Sequence, residues 1–504
     1  MHRSDRPFRL HNTLSGKVEP VRLIEPGHLR FYSCGPTVYS TAHIGNFRSF
    51  LTADLIVRTA EAIGWDVKYV TNVTDVGHLT EDDAADAGGQ DRMAKALESE
   101  GKRFANVYDL ARHYTDSLIS DWHRLNLKEP FVRPRATEHI MQQIQAVEKL
   151  VANGVAYETE KGIYFSVPSF PRYGQLSGNV SAETLEQSVR DVVQDEGKRD
   201  PRDFALWKKD PGHLMQWHSP WGWGFPGWHI ECSVMSATYL GEQIDIHAGG
   251  EDLIFPHHEC EIAQAESLTG KPFARHWVHT RFLQVEGEKM SKSKGNQFTV
   301  PDLVAPESEG GRGIDPVALR LALISGQYRK PYNFTFDTLK ASMKHVERLR
   351  SAHALALKAD SGSENEGEDR LGEKLESLYD DMLGAMLDDL NTPAAIASAI
   401  EGAKLIHSTG DSMSAASARS ALAFIDRTDG LLGIPHGIPG DRSEADTPDD
   451  DLGNVVEELL ARREAARKAR DFAAADTLRA EIEALGVDVM DSPTGSTWKR
   501  KSTV

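Results

Sequence analysis

Two segments of the chain combine glycines with basic side chains, as phosphate-binding loops do. Residues 34–46 (CGPTVYSTAHIGN) join a predicted strand to a predicted helix and contain His43. Backbone N–H groups at such a turn, and the N-terminus of the helix after it, suit a phosphate. Residues 287–296 (GEKMSKSKGN) place three lysines between glycines, as in a mobile loop that closes on a triphosphate and neutralises charge when pyrophosphate leaves. Taken singly, each segment is a weak signal, because structural turns and solvated loops have similar compositions.

A third group of residues could bind a metal ion. His257 and Glu261 are four residues apart in a helix predicted to begin at Pro256, so their side chains share one face. Cys34 follows the first predicted strand, and Cys232 follows a segment rich in Trp and Gly. Two thiolates, an imidazole and a carboxylate are a plausible Zn²⁺ ligand set. Because these positions are widely scattered, spacing alone does not exclude buried cysteines that bind nothing.

The elements that must position these residues alternate between strand and helix. Residues 29–34 and 66–73 are predicted strands, and residues 44–63 between them form a predicted helix, which indicates a parallel α/β unit. A second strand, helix and strand appear over residues 243–280, after a long insertion. Residues from about 335 to 435 have apolar side chains at helical spacing. The sequence therefore predicts a split α/β domain followed by helices.

Net charge and cysteine content exclude several classes of protein. The chain of 504 residues has 57 basic and 76 acidic side chains, for a formal charge of −19. Residues 360–369 and 441–451 together carry −10 of this charge, so the remainder of the chain does not exclude a nucleic-acid partner. We expect no membrane span, because no apolar run is long enough, and no secretory leader, because residues 1–10 lack an apolar core. Three cysteines make no disulfide framework, and a cytoplasmic protein is expected.

The two phosphate-binding segments together resemble the signatures of class I aminoacyl-tRNA synthetases. These are H-I-G-x after the first strand and K-M-S-K-S late in the second half. Longer strings resemble the cysteinyl-tRNA synthetase family: FYSCGPTVY, NVTD, PGWHIECS, DIHAGGEDLIFPHHECEIAQ, DDLNTP and the terminal GSTWKRK. The resemblance implies a Rossmann-type catalytic domain split by an insertion, an α-helical bundle and a small C-terminal domain. It also implies a cysteine–tRNA ligase that forms cysteinyl-adenylate and pyrophosphate from L-cysteine and Mg-ATP, and then charges tRNA(Cys).

The resemblance also implies roles for individual residues. One Zn²⁺ ion would be bound by Cys34, Cys232, His257 and Glu261 and would select the cysteine thiol over the hydroxyl of serine. Catalytic and ATP-binding roles fall to His43, Gly45, Asn46, Lys289 and Lys292. The cysteine substrate would be contacted by Gly35, Thr37, Thr74 and Trp228, although Trp228 could equally be a core aromatic. Cys260 and His258, which neighbour the metal helix, are interpreted as core or supporting residues.

One residue departs from the signature. The fourth residue of the H-I-G-H motif is Asn46 rather than histidine. An amide can still form hydrogen bonds but carries no charge. The contribution of this position to catalysis is therefore in question.

The resemblance further predicts the order of the domains. Residues 1–120 and 241–335 would be the halves of the catalytic domain, with residues 121–240 as the insertion. Residues 336–435 would form a tRNA-binding bundle, residues 436–453 an acidic linker and residues 454–504 an anticodon-binding domain. Proposed tRNA contacts are Arg463, Arg467, Trp498, Lys499 and Arg500, of which the tryptophan could stack on an unpaired base. A solvated helix with Glu/Arg pairs is the alternative for the two arginines.

Two other functions remain open from the sequence. A cysteine ligase of the mycothiol type resembles the same catalytic core but lacks the C-terminal part that follows residue 335 here. A non-catalytic RNA-binding paralogue is supported only by Asn46. Nothing in the sequence signals an obligate dimer, and a monomer is expected.

Overall fold

A computed structural model describes residues 6–79, 91–178, 197–291, 294–362 and 368–434. It also describes the backbone of Val487–Ser492 and Gly495–Arg500 and scattered positions between 459 and 482. The chain divides into two compact units, Met1–Pro439 and Gly440–Val504. Each unit is considered by itself.

The centre of the first unit is a parallel sheet of four strands. The strands are β3 (His28–Ser33), β4 (Asp66–Thr71), β10 (Ile244–Gly250) and β11 (Ala274–Thr280). Their order in the sheet is β11-β10-β3-β4, and every neighbouring pair is parallel. The strand after β3 in the chain is β4, on one side of it, and the strand after β10 is β11, on the opposite side. The connections therefore diverge at the carboxyl ends of β3 and β10 and leave a crevice there, where open α/β sheets bind ligands. The parallel sheet and its interruption confirm the predicted fold class.

Helices and further strands surround this sheet. Two short strands at the N-terminus, β1 (Arg9–Asn12) and β2 (Lys17–Pro20), form a hairpin. The helices up to residue 269 are α1 (Ile44–Ala62), α2 (Arg92–Ser99), α3 (Val107–Arg124), α4 (Ile140–Ala152), α5 (Trp228–Leu240) and α6 (Glu259–Thr269). Helix α1 is buried along most of its length and packs on the sheet, which is why its apolar residues are not confined to one narrow stripe.

The insertion between β4 and β10 carries its own antiparallel sheet. Its strands are β5 (Ala156–Glu158), β6 (Gly162–Phe165), β7 (Phe204–Lys208), β8 (Trp217–Ser219) and β9 (Gly222–Pro226). The order is β5-β6-β7-β9-β8. The segment rich in Trp and Gly forms the β8–β9 hairpin and leads directly into α5.

A small sheet and a helical bundle complete the first unit. The sheet contains β12 (Leu283–Val285), β13 (Glu288–Lys289) and β14 (Tyr332–Phe334). Along the chain, α7 (Val300–Val304) and α8 (Pro316–Ile324) lie between β13 and β14, and α9 (Phe336–Gly362), α10 (Gly372–Leu387), α11 (Thr392–Thr409) and α12 (Ala415–Leu432) follow β14. Helices α9 to α12 form the helical region predicted after residue 335. None of the helices within the described residues is long and apolar enough to cross a membrane.

The two described strands of the second unit form an antiparallel hairpin. Its strands are β15 (Val487–Ser492) and β16 (Gly495–Arg500). Val489 is paired with Trp498 and Val487 with Arg500. The predicted basic tail is therefore an extended strand over most of its length.

Candidate active site

Four potential metal ligands from separate parts of the chain meet at the carboxyl edge of the central sheet. Cys34 directly follows β3, Cys232 lies in α5 and Glu261 lies in α6. His257 lies in a π-helical turn just before α6. One donor atom of each residue lies within 4.8 Å of those of the other three, and all four residues are buried. The distance of 2.9 Å between His257 Nε2 and Glu261 Oε1 confirms that these two side chains share a face, although the helix type changes between them.

The chemistry of this cluster suits a soft divalent cation. Cys34 Sγ lies 3.7 Å from Cys232 Sγ and 3.5 Å from Glu261 Oε1. Within the described residues, the ion pairs of Glu261 are all with histidines. Thiolate, imidazole and carboxylate are the ligands that zinc takes in proteins. Because the lone pairs of these buried groups converge, the residues fit a Zn²⁺ ion.

A second set of donors overlaps the first and was not predicted. Cys34 and Glu261 also lie within 4.8 Å of donor atoms of His247 and His258. His247 Nε2 lies 2.7 Å from Glu261 Oε2, and His258 Nε2 lies 3.4 Å from Cys34 Sγ. The sequence contained one signal for this second set. His247 lies inside the apolar strand β10, and a buried imidazole needs a polar partner.

Protonation within the cluster is strongly perturbed. Burial raises the pKa of the Cys34 thiol well above its usual value. Burial also acts to raise the pKa of Cys232, but hydrogen bonds with Cys34 and His257 outweigh it and lower this pKa to about 6. Although burial opposes ionisation of Glu261, the charges of His247 and His257 hold its pKa well below the usual range. A thiolate and a carboxylate in one buried cluster favour a cation.

Further histidines hold the rings of this cluster in place. His258 Nδ1 lies 2.8 Å from His279 Nε2, and His279 Nδ1 lies 2.7 Å from Thr13 Oγ1. His229 Nδ1 lies 2.9 Å from His257 Nδ1. Burial lowers the pKa of His229 and of His258 well below the usual value, so both rings are neutral at pH 7. Such supporting contacts orient metal-binding side chains and fix their tautomers.

The residues expected to contact the amino acid lie beside the cluster. The backbone N–H of Gly35 donates to Asn72 Oδ1 at 2.8 Å, and a Cβ at Gly35 would lie 1.6 Å from the Asn72 carbonyl oxygen. Thr37 and Thr74 form a parallel bridge between the two strand ends. Only glycine therefore fits at position 35, because the backbone after β3 approaches the backbone after β4 so closely.

Trp228 lies between these residues and the cluster of potential metal ligands. Its ring stacks on His78 at a centroid distance of 4.1 Å and lies 4.2 Å from the ring of His257. His78 Nδ1 in turn lies 2.7 Å from Thr37 Oγ1. Trp228 is only half-buried, so it is not a core aromatic. His78 and Asn72 were not predicted as site residues.

The H-I-G-N segment forms the start of α1. His43 is the N-cap, and its Nδ1 accepts a hydrogen bond from the backbone N–H of Asn46 at 3.2 Å. The backbone N–H of His43 donates to Asn46 Oδ1 at 3.1 Å. These reciprocal bonds form a capping box. Asn46 thus has a structural partner within its own motif.

The K-M-S-K-S segment lies against the H-I-G-N segment. A Cβ at Gly45 would lie 2.6 Å from Met290 Cε, and the backbone N–H of Ile44 donates to the Phe298 carbonyl at 2.9 Å. Lys289 is exposed and its Nζ lies 5.9 Å from the centre of the Phe282 ring. Lys292 lies outside the described residues. The two motifs, remote in sequence, are in contact in the structure.

The residues expected to contact tRNA are only partly described. Arg463 is buried, with 4 % of its surface exposed. Arg467 lies outside the described residues. Trp498, Lys499 and Arg500 are on β16, where the backbone alone is described.

Similarity to known protein families agrees with this arrangement. The profile of the tRNA synthetases class I (C) catalytic domain matches residues 20–344. The profile of the cysteinyl-tRNA ligase anticodon binding domain matches residues 449–498. A cysteine–tRNA ligase of Salinibacter ruber is 58 % identical over 512 residues, covering 99 % of both chains. One from Thermus thermophilus is 40 % identical, covering 97 % of this chain and 98 % of that one.

Solved structures show the same fold at low sequence identity. A methionyl-tRNA synthetase of Mycobacterium tuberculosis, 14 % identical, superposes with a TM-score of 0.57 over 84 % of this chain and 94 % of that one. A leucyl-tRNA synthetase of Agrobacterium radiobacter, 11 % identical, superposes with a TM-score of 0.61 over 83 % of this chain and 86 % of that one. These two matches show the fold, whereas the full-length matches show the family. The chain belongs to the cysteine–tRNA ligase family of class I tRNA synthetases.

Proposed function

We propose that the chain ligates L-cysteine to tRNA(Cys). In the first step the cysteine carboxylate attacks the α-phosphorus of ATP, forming cysteinyl-adenylate and releasing pyrophosphate. In the second step the terminal ribose hydroxyl of the tRNA attacks the acyl carbon and releases AMP. The observation that carries the proposal is the buried cluster of Cys34, Cys232, His257 and Glu261 at the carboxyl edge of the sheet, with Trp228 against His257. The proposal assigns the reaction to a single chain in the cytoplasm.

The cluster would hold one Zn²⁺ ion. Zinc supplies a soft Lewis acid that binds the thiolate of cysteine and discriminates against the hydroxyl of serine. Glu261 supports this role because its ionised carboxylate is stabilised by His247 and His257. A hydrophobic pocket alone distinguishes such similar substrates poorly.

The pocket residues would position the rest of the amino acid. Gly35 lets the backbone after β3 lie directly against that of Asn72, since any larger residue would collide with the Asn72 carbonyl. Thr37 and Thr74 fix the two strand ends relative to each other. Trp228 would form one wall, with its orientation held by His78. Together they would bring the carboxylate of the substrate to the phosphate turn.

Mg-ATP would bind at the contact between the two motifs. His43 and the N-terminus of α1 offer donors to phosphate oxygens. Gly45 leaves room for Met290, so that Lys289 and Lys292 would be carried toward the same phosphates. Lysines placed there would stabilise the charge that develops as pyrophosphate leaves.

The C-terminal regions would bind tRNA. We assign residues 336–435 to a tRNA-binding bundle and residues 454–504, after the acidic linker 436–453, to anticodon recognition. Within the latter, Trp498, Lys499 and Arg500 on β16 would contact the nucleic acid, together with Arg467. Arg463, expected from the sequence as a further contact, is buried and is not proposed as one. Residues 121–240 remain the insertion between catalytic halves 1–120 and 241–335.

Charging of total tRNA with radiolabelled cysteine or serine tests the function directly. We expect cysteine to be esterified and serine to be rejected by about 10³-fold or more, with about one zinc per chain by elemental analysis. Cysteine-dependent exchange of pyrophosphate into ATP without transfer to tRNA would indicate a ligase for another acceptor. Absence of both reactions would indicate a non-catalytic paralogue.

Two lysines of one loop provide a matched pair for the ATP site. Lys292→Ala should abolish pyrophosphate exchange. Lys294→Ala should retain it, because Lys294 Nζ is paired with Glu288 at 3.0 Å. Equal exchange by the two variants would remove Lys292 from the mechanism.

A further inference from the structure

His43 is held at the start of α1 by contacts that restrict the position of its proton. Its ring Nδ1 lies 3.2 Å from the backbone nitrogen of Asn46. A backbone N–H can only donate, so Nδ1 must present a lone pair. The same N–H also lies 2.9 Å from the His43 carbonyl oxygen, a shared bond of the kind common at helix ends. In a neutral ring the proton then resides on Nε2.

The surroundings keep the ring in this orientation. The Asn46 side chain accepts from the backbone N–H of His43 at 3.1 Å, which fixes the N-cap backbone. A Cβ at Gly45 would lie 3.0 Å from both Cε1 and Nδ1 of the ring. In the backbone, an antiparallel bridge pairs His43 with Thr299. His43 is half-buried, so the ring is restrained but still accessible to a ligand.

Protonation of Nδ1 would place its N–H directly opposite the backbone N–H of Asn46, so that two donors would face each other. It would break the side-chain half of the capping box and add a positive charge at the positive end of α1. The geometry therefore favours a neutral ring. A neutral ring with its proton on Nε2 is a directional hydrogen-bond donor at the turn where phosphate is expected.

We propose that the α1 capping box locks His43 in the Nε2–H tautomer, and that Asn46 acts through this lock instead of contacting a phosphate. The lock rests on the geometry alone, whereas its use, donation from Nε2 to ATP, rests on the proposed function. Asn46 is then a positioning residue. Its uncharged amide is sufficient for that role, which accounts for the departure from H-I-G-H.

Nitrogen NMR of the full-length protein with ¹⁵N-labelled histidine tests the lock without any assay of activity. His43→Gln identifies the signals of His43 by their absence. We expect Nδ1 to have the shift of an unprotonated ring nitrogen and Nε2 that of a protonated one. A protonated Nδ1, or averaged shifts from both tautomers, would overturn the lock.

Substitutions at Asn46 test the positioning role. Asn46→Ala retains the backbone N–H that faces Nδ1 but removes the acceptor that fixes the N-cap backbone of His43. We expect the loosened cap to give averaged shifts for His43 and a loss of about 10-fold in kcat for pyrophosphate exchange, with an unchanged KM for cysteine. Asn46→Asp retains an acceptor oxygen and should restore the tautomer and most of the rate. A lower rate in Asn46→Ala with unaltered shifts would contradict the proposal, because Asn46 would then act directly.

A cap residue of another helix serves as a control that distinguishes a general effect of losing a helix cap from a specific effect on the His43 tautomer. Ser414 caps α12 by accepting from the backbone N–H of Ser417 at 3.2 Å. Ser414→Ala should leave the shifts of His43 and the exchange rate unchanged, and a change in either would indicate a global effect of cap loss. If the wild-type protein shows the expected shifts but no exchange, the proposed function fails while the lock stands.

Discussion

Two buried clusters of charged side chains lie within the first unit, and they differ in which atoms point inward. Around Cys34 and Glu261, lone pairs of sulfur, nitrogen and oxygen converge within 4.8 Å. Around Asp54, two guanidinium groups converge instead. Arg58 Nε donates to the Asp54 carboxylate at 2.8 Å, and Arg320 donates to the same oxygen. Burial alone therefore does not mark a functional site.

The arginine cluster is satisfied by the protein itself. Arg320, fully buried, also donates to the carbonyl oxygens of Leu432 and Leu125, each at 2.9 Å. Arg58 donates to carbonyls at Asn126 and Gly430. These bonds tie α1 and α8 to the end of α12, which is a structural role. Converging lone pairs, by contrast, need a cation, and this difference separates a ligand site from an internal brace.

The largest expected effect comes from breaking the ligand cluster. Cys34→Ser should remove most of the zinc and reduce cysteine-dependent exchange by about 10³-fold or more, because a ligand and the binding of the substrate thiol are lost together. Elemental analysis and exchange kinetics measure both. Cys260→Ser is the matched control, since Cys260 contacts Tyr173 Oη at 3.3 Å and belongs to neither donor set. Full zinc content in Cys34→Ser would show that the cluster around Cys34 and Glu261 is not the metal site.

Breaking the arginine cluster should affect folding without affecting the metal. Arg320→Met leaves Asp54 with one guanidinium partner and should lower the free energy of unfolding by about 3–5 kcal/mol. Urea unfolding measures this loss. Below the unfolding transition, zinc content should equal that of the wild type. Loss of zinc from the folded variant would show that the two clusters are coupled.

Two carboxylates of helix α6 allow the same comparison at closer range. Glu259 accepts backbone N–H bonds from Gly174, Leu176 and Ser177, whereas Glu261 faces histidines and thiols. Glu259→Gln should cost about 1–3 kcal/mol of stability, because an amide N–H₂ would face backbone donors, while zinc is retained. Glu261→Gln should instead lose zinc. Elemental analysis measures the zinc content of each variant and urea unfolding measures its stability. Zinc loss in both variants would contradict the distinction between a structural Glu259 and a metal-binding Glu261.

The smallest effect is expected at a buried carboxylate with an incomplete set of partners. Asp121 pairs with Arg124 at 2.9 Å, but its Oδ2 has no hydrogen-bond partner among the described residues. Burial raises the pKa of Asp121 to about 6, so the folded state binds more protons than the unfolded state between the ordinary aspartate pKa and pH 6. The stability that this group contributes is thus lost as pH rises through that window.

Asp121→Asn should remove this pH dependence. Relative to the wild type, the variant should gain about 1–2 kcal/mol between pH 4 and pH 7. Urea unfolding across this range measures the difference. A constant difference at all pH values would show that Asp121 is solvated in both states.

Sequence reasoning identified residues by type more successfully than by contact. The four predicted ligands meet in the structure. Helical spacing had placed His257 and Glu261 on one face, and the family resemblance had indicated all four. His247 was missed, since nothing in a strand sequence shows which neighbouring helix its side chain will face. Asn46 was predicted to act on ATP, which stays a prediction, whereas its capping box with His43 three residues before it was not predicted. The buried Arg320 was also missed, because its partners come from α1, the loop after α3 and α12.

The parallel α/β fold class, the order of its elements, the family and the residue types available for chemistry were predicted from the sequence. These follow from local periodicity and from motifs that are continuous along the chain. The three-dimensional structure was needed to show which buried polar groups face one another: lone pairs at Cys34 and Glu261, and guanidinium groups at Asp54. The physical reason is that ligand geometry and charge balance depend on distances between elements remote in sequence, and residue spacing along the chain does not encode those distances.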